Sequence, residues 1–142
     1  MSEIRIDALL PAEMATRAEY LGVRKAEMPA LKMFTLAILA GAFIGLGAIF
    51  ATTVSAGGMA ITLPDGTAAF STGLPYGVIR LLAGLVFCLG LILVVIGGAE
   101  LFTGNNLIVM AWASGKVSGK DLLRNWLIVY VGNFVGAVGT AA

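Results

Sequence analysis

Histidine is absent from this sequence, and cysteine and charged residues are scarce. The lack of histidine removes the commonest metal ligand and the commonest general base. The single cysteine, Cys88, lies within an apolar run, so neither a disulfide nor a reactive thiolate is indicated. With no nucleophile–base pair and no cluster of metal ligands, we expect neither an enzyme nor a bound cofactor. A net charge of +1 gives no electrostatic basis for binding nucleic acid.

Apolar residues make up most of what remains. Hydrophobic residues account for 59% of the chain and charged residues for 12%, whereas about 25% of the residues in soluble domains are charged. The mean hydropathy is +0.98. We therefore predict an integral membrane protein whose surroundings are the lipid bilayer.

Two helices are predicted in the first 54 residues. Residues 9–24 form a short amphipathic helix that Pro11 begins and Gly22 ends. Such a helix can lie along the membrane surface or close the mouth of a channel, and its sequence does not distinguish the two. The first membrane span covers residues 29–54 and carries small residues four apart, which favour close helix packing: Ala37, Gly41 and Gly45.

Residues 74–113 predict a second span that is interrupted. As one straight helix these 40 residues would be about 60 Å long, twice the hydrocarbon thickness of a bilayer. Gly97 and Gly98 disfavour a continuous helix, and Gly104 adds backbone freedom. We expect a loop near residues 97–106.

The interruption places polar side chains where hydrocarbon is expected. Glu100, Thr103 and Asn105 follow the glycine pair directly. Irregular backbone at membrane depth persists only where protein or a water-filled cavity satisfies its polar groups, so an ionisable residue there indicates a functional site. In the alternative interpretation Glu100 lies at an ordinary membrane edge and a short interfacial helix follows.

A third span is predicted over residues 125–142, after a basic loop at 114–124. Five Lys or Arg residues precede Met33, where the uncharged part of the first span begins, three lie in the basic loop and none lies in the predicted outer loop, residues 55–73. By the positive-inside rule the N-terminus and the basic loop face the cytoplasm. The third span has a glycine face for close packing: Gly132, Gly136 and Gly139.

The third apolar run reaches the last residue of the sequence. We therefore expect the chain to be part of a longer protein, with a complete three-helix protein as the alternative.

Several segments resemble the formate/nitrite transporter family, and most closely its formate-channel branch. These segments are Leu9-Leu10-Pro11, Leu89-Gly90-Leu91-Ile92-Leu93, Gly98-Ala99-Glu100-Leu101-Phe102-Thr103, Asn125-Trp126-Leu127 and Val131-Gly132-Asn133. The resemblance implies an all-α membrane protein with the aquaporin-like inverted-repeat fold, assembled as a homopentamer in the bacterial inner membrane. Residues 1–142 correspond to the first repeat, three spans with a broken second helix, and the family's central pore histidine belongs to the second repeat.

The resemblance also implies roles for individual residues. Phe87 and Leu91 match the outer constriction of the family's pore, although helix packing alone can explain both. Leu101 and Phe102 match the inner constriction, and Thr103 matches a threonine that binds the family's histidine. The loop itself is expected to be ordered by five residues, with Glu100 accepting hydrogen bonds from backbone N–H groups: Gly97, Gly98, Glu100, Gly104 and Asn105.

The function that the resemblance implies is passage of small monovalent anions, formate above all. Nitrite or hydrosulfide is the alternative substrate, and a subunit that only packs against partners is the alternative of another class. We expect a second half-helix beginning near Asn105 to point its positive end into the break. We also expect residues 1–142 alone neither to fold stably nor to conduct, because the backbone of 99–105 would lack partners.

Overall fold

The structure, a computed structural model, describes residues 9–57, 61–70 and 73–142. Within these residues the chain forms six helices and one short β-hairpin. In order they are α1 (Pro11–Ala26), α2 (Ala30–Gly57), β1 (Ile61–Thr62), β2 (Ala68–Phe70), α3 (Tyr76–Ile96), α4 (Phe102–Asn105), α5 (Ile108–Ala113) and α6 (Gly119–Ala141). Three of the described helices, α2, α3 and α6, are long and apolar enough to cross a membrane.

The third span begins six residues before the predicted boundary of 125. Ser118 precedes α6, and its hydroxyl oxygen accepts a hydrogen bond from the backbone N–H of Asp121 at 3.1 Å. This N-cap satisfies one of the free N–H groups of the first turn, so the helix starts at Gly119. The connection to the preceding helix is therefore 114–118, shorter than the predicted basic loop.

The predicted outer loop contains a β-hairpin that the all-α assignment did not include. Strands β1 and β2 pair antiparallel, with Ile61 opposite Phe70. Between them Gly66 has a φ of +84°, a conformation that glycine adopts without steric cost. Residues 64–66 form the turn between the strands, whereas residues 58–60 and 71–72 of this loop, like the N-terminal residues 1–8, lie outside the described residues.

Helix α2 lies between α3 and α6 and contacts both through glycines. A Cβ atom at Gly41 would collide with the backbone of Asn133 on α6, and one at Gly136 with the backbone of Ile38. On the α3 side, a Cβ at Gly47 would stand 2.9 Å from the carbonyl oxygen of Phe87. The predicted packing faces are thus confirmed, except at Gly139, where an added Cβ would meet no atom of another described element within 4 Å.

Helix α1 packs across α5. A Cβ atom at Gly22 would stand 3.0 Å from the Cβ of Ala111 and 3.4 Å from the Cα of Ile108. The prediction that Gly22 ends the helix is wrong: α1 continues to Ala26, and Gly22 is a contact point that a larger residue would obstruct.

Candidate functional site

The second span is interrupted between Ile96, the last residue of α3, and Phe102, the first of α4. Gly98 has a φ of +59°. The N–H of Gly98 donates to the carbonyl of Val95 at 3.3 Å, and the N–H of Ala99 donates to Val94 at 3.0 Å. This is the Schellman arrangement, in which a glycine in the left-handed conformation closes a helix. The predicted break is present and Gly98 ends the helix.

The backbone of the break is bonded to the neighbouring spans. Glu100 N–H donates to the carbonyl of Leu36 on α2 at 3.2 Å. On the α6 side, the Asn133 amide donates to the Glu100 carbonyl at 2.9 Å and accepts from Phe102 N–H at 2.9 Å. The expectation that these backbone groups would lack partners within residues 1–142 is therefore wrong for Ala99, Glu100 and Phe102. Spans α2 and α6 thus provide hydrogen-bond partners that water would provide to an exposed loop.

The half-helix after the break differs from the predicted one. It begins at Phe102 rather than near Asn105, and it consists of the four residues of α4 and the six of α5. Gly104 lies inside α4, so it is not part of the break. The first N–H of α4, that of Phe102, donates to the Asn133 amide oxygen.

Four polar side chains form a connected cluster beside the break. The Lys25 ammonium lies 2.7 Å from one Glu100 oxygen and 3.0 Å from the Asn105 amide oxygen. Asn105 donates to the other Glu100 oxygen at 2.8 Å and to the Asn125 amide oxygen at 2.9 Å. Asn125 in turn donates to the backbone carbonyl of Lys25 at 3.0 Å. The cluster therefore joins α1, the break, α4 and α6.

Because this cluster is largely buried, its stability depends on whether its charges are paired. Glu100 is 4% exposed and both asparagines are fully buried, whereas the Lys25 side chain is 29% exposed. A carboxylate at such burial is costly unless it is paired and hydrogen-bonded. Lys25 pairs with the Glu100 carboxylate and cancels its charge, and both Lys25 and Asn105 donate hydrogen bonds to it. The Glu100 carboxylate thus contacts side chains, not the backbone N–H groups that we expected it to bind.

Phe102 is held between aromatic rings of α6. Its ring meets those of Trp126 and Tyr130 edge to face, with centroids 6.2 and 5.6 Å apart. The indole N–H of Trp126 donates to the carbonyl of Asn105 at 3.1 Å. These contacts fix α4 against α6 at both of its ends.

A cavity of about 370 Å³ lies along the break. Of the residues predicted to line a pore, Leu91, Leu101 and Thr103 face it together with Lys25. Phe87 lies one turn before Leu91 on α3 and is 41% exposed. The wall of the cavity is mostly apolar, and Thr103, Lys25 and Glu100 are the residues in it whose side chains are polar or charged.

Sequence reasoning missed the role of Lys25. Lys25 follows Met14, Ala18 and Leu21 at helical spacing, so it continues the face of α1 that was predicted to be apolar. A single lysine on such a face is a signal for a buried acidic partner. The signal was lost because the predicted helix, residues 9–24, ended one residue before Lys25. Asn125 and Asn133 were noticed only as part of the resemblance.

The sequence is similar to proteins described as formate channels and formate transporters. It is 47% identical over 132 residues to "Formate channel FocA" of Escherichia coli (strain K12), which covers 93% of this chain and 42% of that protein. It is 40% identical over 135 residues to "Formate channel FocA" of Haemophilus influenzae, covering 95% and 43%. A "Probable formate transporter" of Methanothermobacter thermautotrophicus is 39% identical over 132 residues, covering 92% and 44%. The chain therefore spans less than half the length of these relatives.

Solved structures of the same kind share the fold. A "Pentameric formate channel with formate bound" superposes with a TM-score of 0.62 at 49% identity, over 78% of this chain and 38% of that one. An "FNT family ion channel" superposes with a TM-score of 0.71 at 25% identity, over 92% and 47%. Residues 12–142 match the sequence profile described as Formate/nitrite transporter. The chain belongs to the formate/nitrite transporter family.

Proposed function

We propose that this chain forms half of a channel that passes small monovalent anions, formate above all, across the cytoplasmic membrane of a bacterium. The channel is a homopentamer, does not catalyse a reaction and has its N-terminus in the cytoplasm. Nitrite or hydrosulfide is the alternative substrate. The names of the relatives favour formate, since those quoted above that state a substrate all state formate.

The observation that carries the proposal is the cavity beside the break in the second span. Here the chain leaves α3 at Gly98 and resumes a helix at Phe102, and the cavity of about 370 Å³ runs along the residues between them. The cost of the irregular backbone is met by bonds to α2 and α6. A span that is interrupted and stabilised in this way is suited to a channel through which a solute passes.

The lining of the cavity suggests how an anion is selected. Leu91 and Leu101 present apolar side chains, which exclude hydrated ions that cannot shed water. Thr103 offers a hydroxyl and Lys25 an ammonium group as partial replacement for that water. Because Glu100 neutralises Lys25, the anion meets a polar group without a deep electrostatic trap, and it can leave again.

The rival proposal is a membrane subunit that only packs against partners. The glycine contacts of α2 with α3 and α6 would serve such a subunit equally well. The interrupted helix and its buried Lys25–Glu100 pair would not, because packing does not require them and a buried ion pair contributes little net stability.

The test is formate flux into liposomes that contain the purified full-length protein. We expect saturable formate uptake, with nitrite and hydrosulfide tested as competing substrates and empty liposomes as the control. Residues 1–142 alone should give no uptake, because this chain matches less than half the length of the relatives described as formate channels. Full-length protein that assembles normally and passes none of the three anions would support the packing subunit instead.

A further inference from the structure

We infer that Asn133 is a positioning residue that sets the width of the pathway at Leu101. The inference rests on the proposed function, because it concerns the selectivity of the same channel. Its basis is a set of three hydrogen bonds from one side chain to three different elements.

The Asn133 amide uses its full donor capacity. Its Nδ2 donates one hydrogen bond to the carbonyl of Ala37 on α2 at 2.8 Å and one to the carbonyl of Glu100 at 2.9 Å. Its Oδ1 accepts from Phe102 N–H at 2.9 Å. A primary amide carries two N–H donors and a carbonyl acceptor at one position, so a hydroxyl or a carboxylate cannot make all three bonds.

The two bonds to the break enclose Leu101. One reaches the carbonyl of the preceding residue, Glu100, and the other the N–H of the following residue, Phe102. Leu101 itself is extended, with φ −97° and ψ 132°, and its side chain lines the cavity. A residue that is held from both sides cannot move its side chain into or out of the cavity by a small backbone shift. The position of Leu101 is therefore decided by Asn133.

The bond to α2 fixes Asn133 in turn. Helix α6 approaches α2 at Gly41, where any Cβ would collide with the Asn133 backbone. This close approach brings the Asn133 side chain within reach of Ala37, one turn earlier on α2. The Asn133 amide thus connects the closely packed α2–α6 pair to the loop. Because Gly41 has no side chain, α6 lies close enough to α2 for Asn133 to bond to its backbone.

The selectivity of the channel tests the inference. In full-length protein reconstituted in liposomes, the ratio of formate to lactate flux is measured for wild type, Asn133→Leu and Asn133→Asp. Asn133→Leu removes all three hydrogen bonds, and we expect it to lower the ratio about tenfold, a change of about 1.4 kcal/mol in the relative barriers for the two anions. Asn133→Asp keeps an acceptor for Phe102 but sets a carboxylate oxygen against the carbonyl oxygens of Ala37 and Glu100, so it should lower the ratio at least as far. Phe134→Leu, at the neighbouring and 63% exposed position, is the matched control and should leave the ratio unchanged.

A double-mutant cycle separates positioning from general damage. Leu101→Ala removes the side chain through which Asn133 acts, so adding Asn133→Leu to it should change the flux ratio little further. Additive losses would overturn the inference, as would a wild-type ratio in both Asn133 variants. If neither Asn133 variant assembles, the residue is a folding determinant and the inference is overturned as well. Absence of formate flux in wild type would overturn the proposed function; amide exchange at Phe102, faster in Asn133→Leu than in Phe134→Leu, then tests the positioning alone.

Discussion

Lys25→Met should destabilise the protein far more than Glu100→Gln, although both remove the same 2.7 Å ion pair. The difference follows from unequal burial. The Glu100 side chain is 5% exposed, so without Lys25 its charge remains in the interior with Asn105 as its remaining side-chain donor. Removing one partner of a buried pair costs about 3–5 kcal/mol. Protonating an ordinary glutamate at pH 7 costs about 3–4 kcal/mol, which limits the loss. We expect about 3 kcal/mol.

In Glu100→Gln the charge left without its partner is the Lys25 ammonium and not a buried carboxylate. Lys25 keeps its charge, but its side chain is 29% exposed and water can hydrate it. Glutamine has the shape of glutamate and can still accept one hydrogen bond. The loss should therefore resemble that of a single hydrogen bond, about 1 kcal/mol. The double variant Lys25→Met with Glu100→Gln has no buried charge and should be within about 1 kcal/mol of Glu100→Gln alone.

The assay is the fraction of assembled protein that survives heating in detergent, compared among wild type, the two single variants and the double variant. Lys120→Met, at an exposed position near the start of α6, is the control for losing a lysine and should match wild type. Equal losses for Lys25→Met and Glu100→Gln would refute the reasoning from burial. A double variant with the sum of the two losses would show that the residues do not act as a pair.

Three further predictions concern the pathway, the orientation and α1. Leu91→Ala and Leu101→Ala in the full-length protein should raise permeability to larger anions; unstable variants with unchanged selectivity would instead make these leucines packing residues. A single cysteine at position 116, in a background with Cys88→Ser, should resist impermeant reagents added outside sealed cells, and labelling from outside would contradict a cytoplasmic loop. Hydrogen bonds from Lys116 and Ser114 hold the pKa of Glu19 below its usual value of 4.5, so the contact of α1 with this loop stabilises docking above that pH and loses its effect as the pH falls further. Spin labels at Ala15 and Lys120 should then show a broader distance distribution, and Glu19→Gln should broaden it at every pH, while Gly22 and Lys25 keep α1 docked.

The three spans were predictable because the bilayer constrains them strongly. A helix that crosses hydrocarbon needs about 20 apolar residues, and such runs are visible in any sequence. The break was predictable for the same reason, since 40 residues exceed the available thickness and Gly97-Gly98 marks the place. The residues at which helices begin and end were harder to predict. Helix α6 starts at its Ser118 cap, a local bond that hydropathy does not reveal.

The polar contacts around the break could not be read from the sequence, because they join residues far apart in it. Lys25 and Glu100 are 75 positions apart, and Asn133 lies 96 positions from Ala37. Composition and spacing describe neighbours along one helix, whereas these bonds depend on which helices touch and at what depth. The backbone of the break is an example. From the sequence we expected its N–H groups to lack partners, whereas in the structure α2 accepts from Glu100 N–H and α6 accepts from Phe102 N–H.

The sequence by itself determined the membrane setting, the three spans, the place of the break and the family. Each of these follows from apolar length, glycine position or a contiguous motif, which are properties of short segments. Only the tertiary structure decided that Glu100 pairs with Lys25, that Gly22 is a contact instead of a helix end, and that Asn133 holds both sides of Leu101. The physical reason is that a buried polar group takes its partner from whichever element packs against it, and packing becomes definite only when the whole chain has folded.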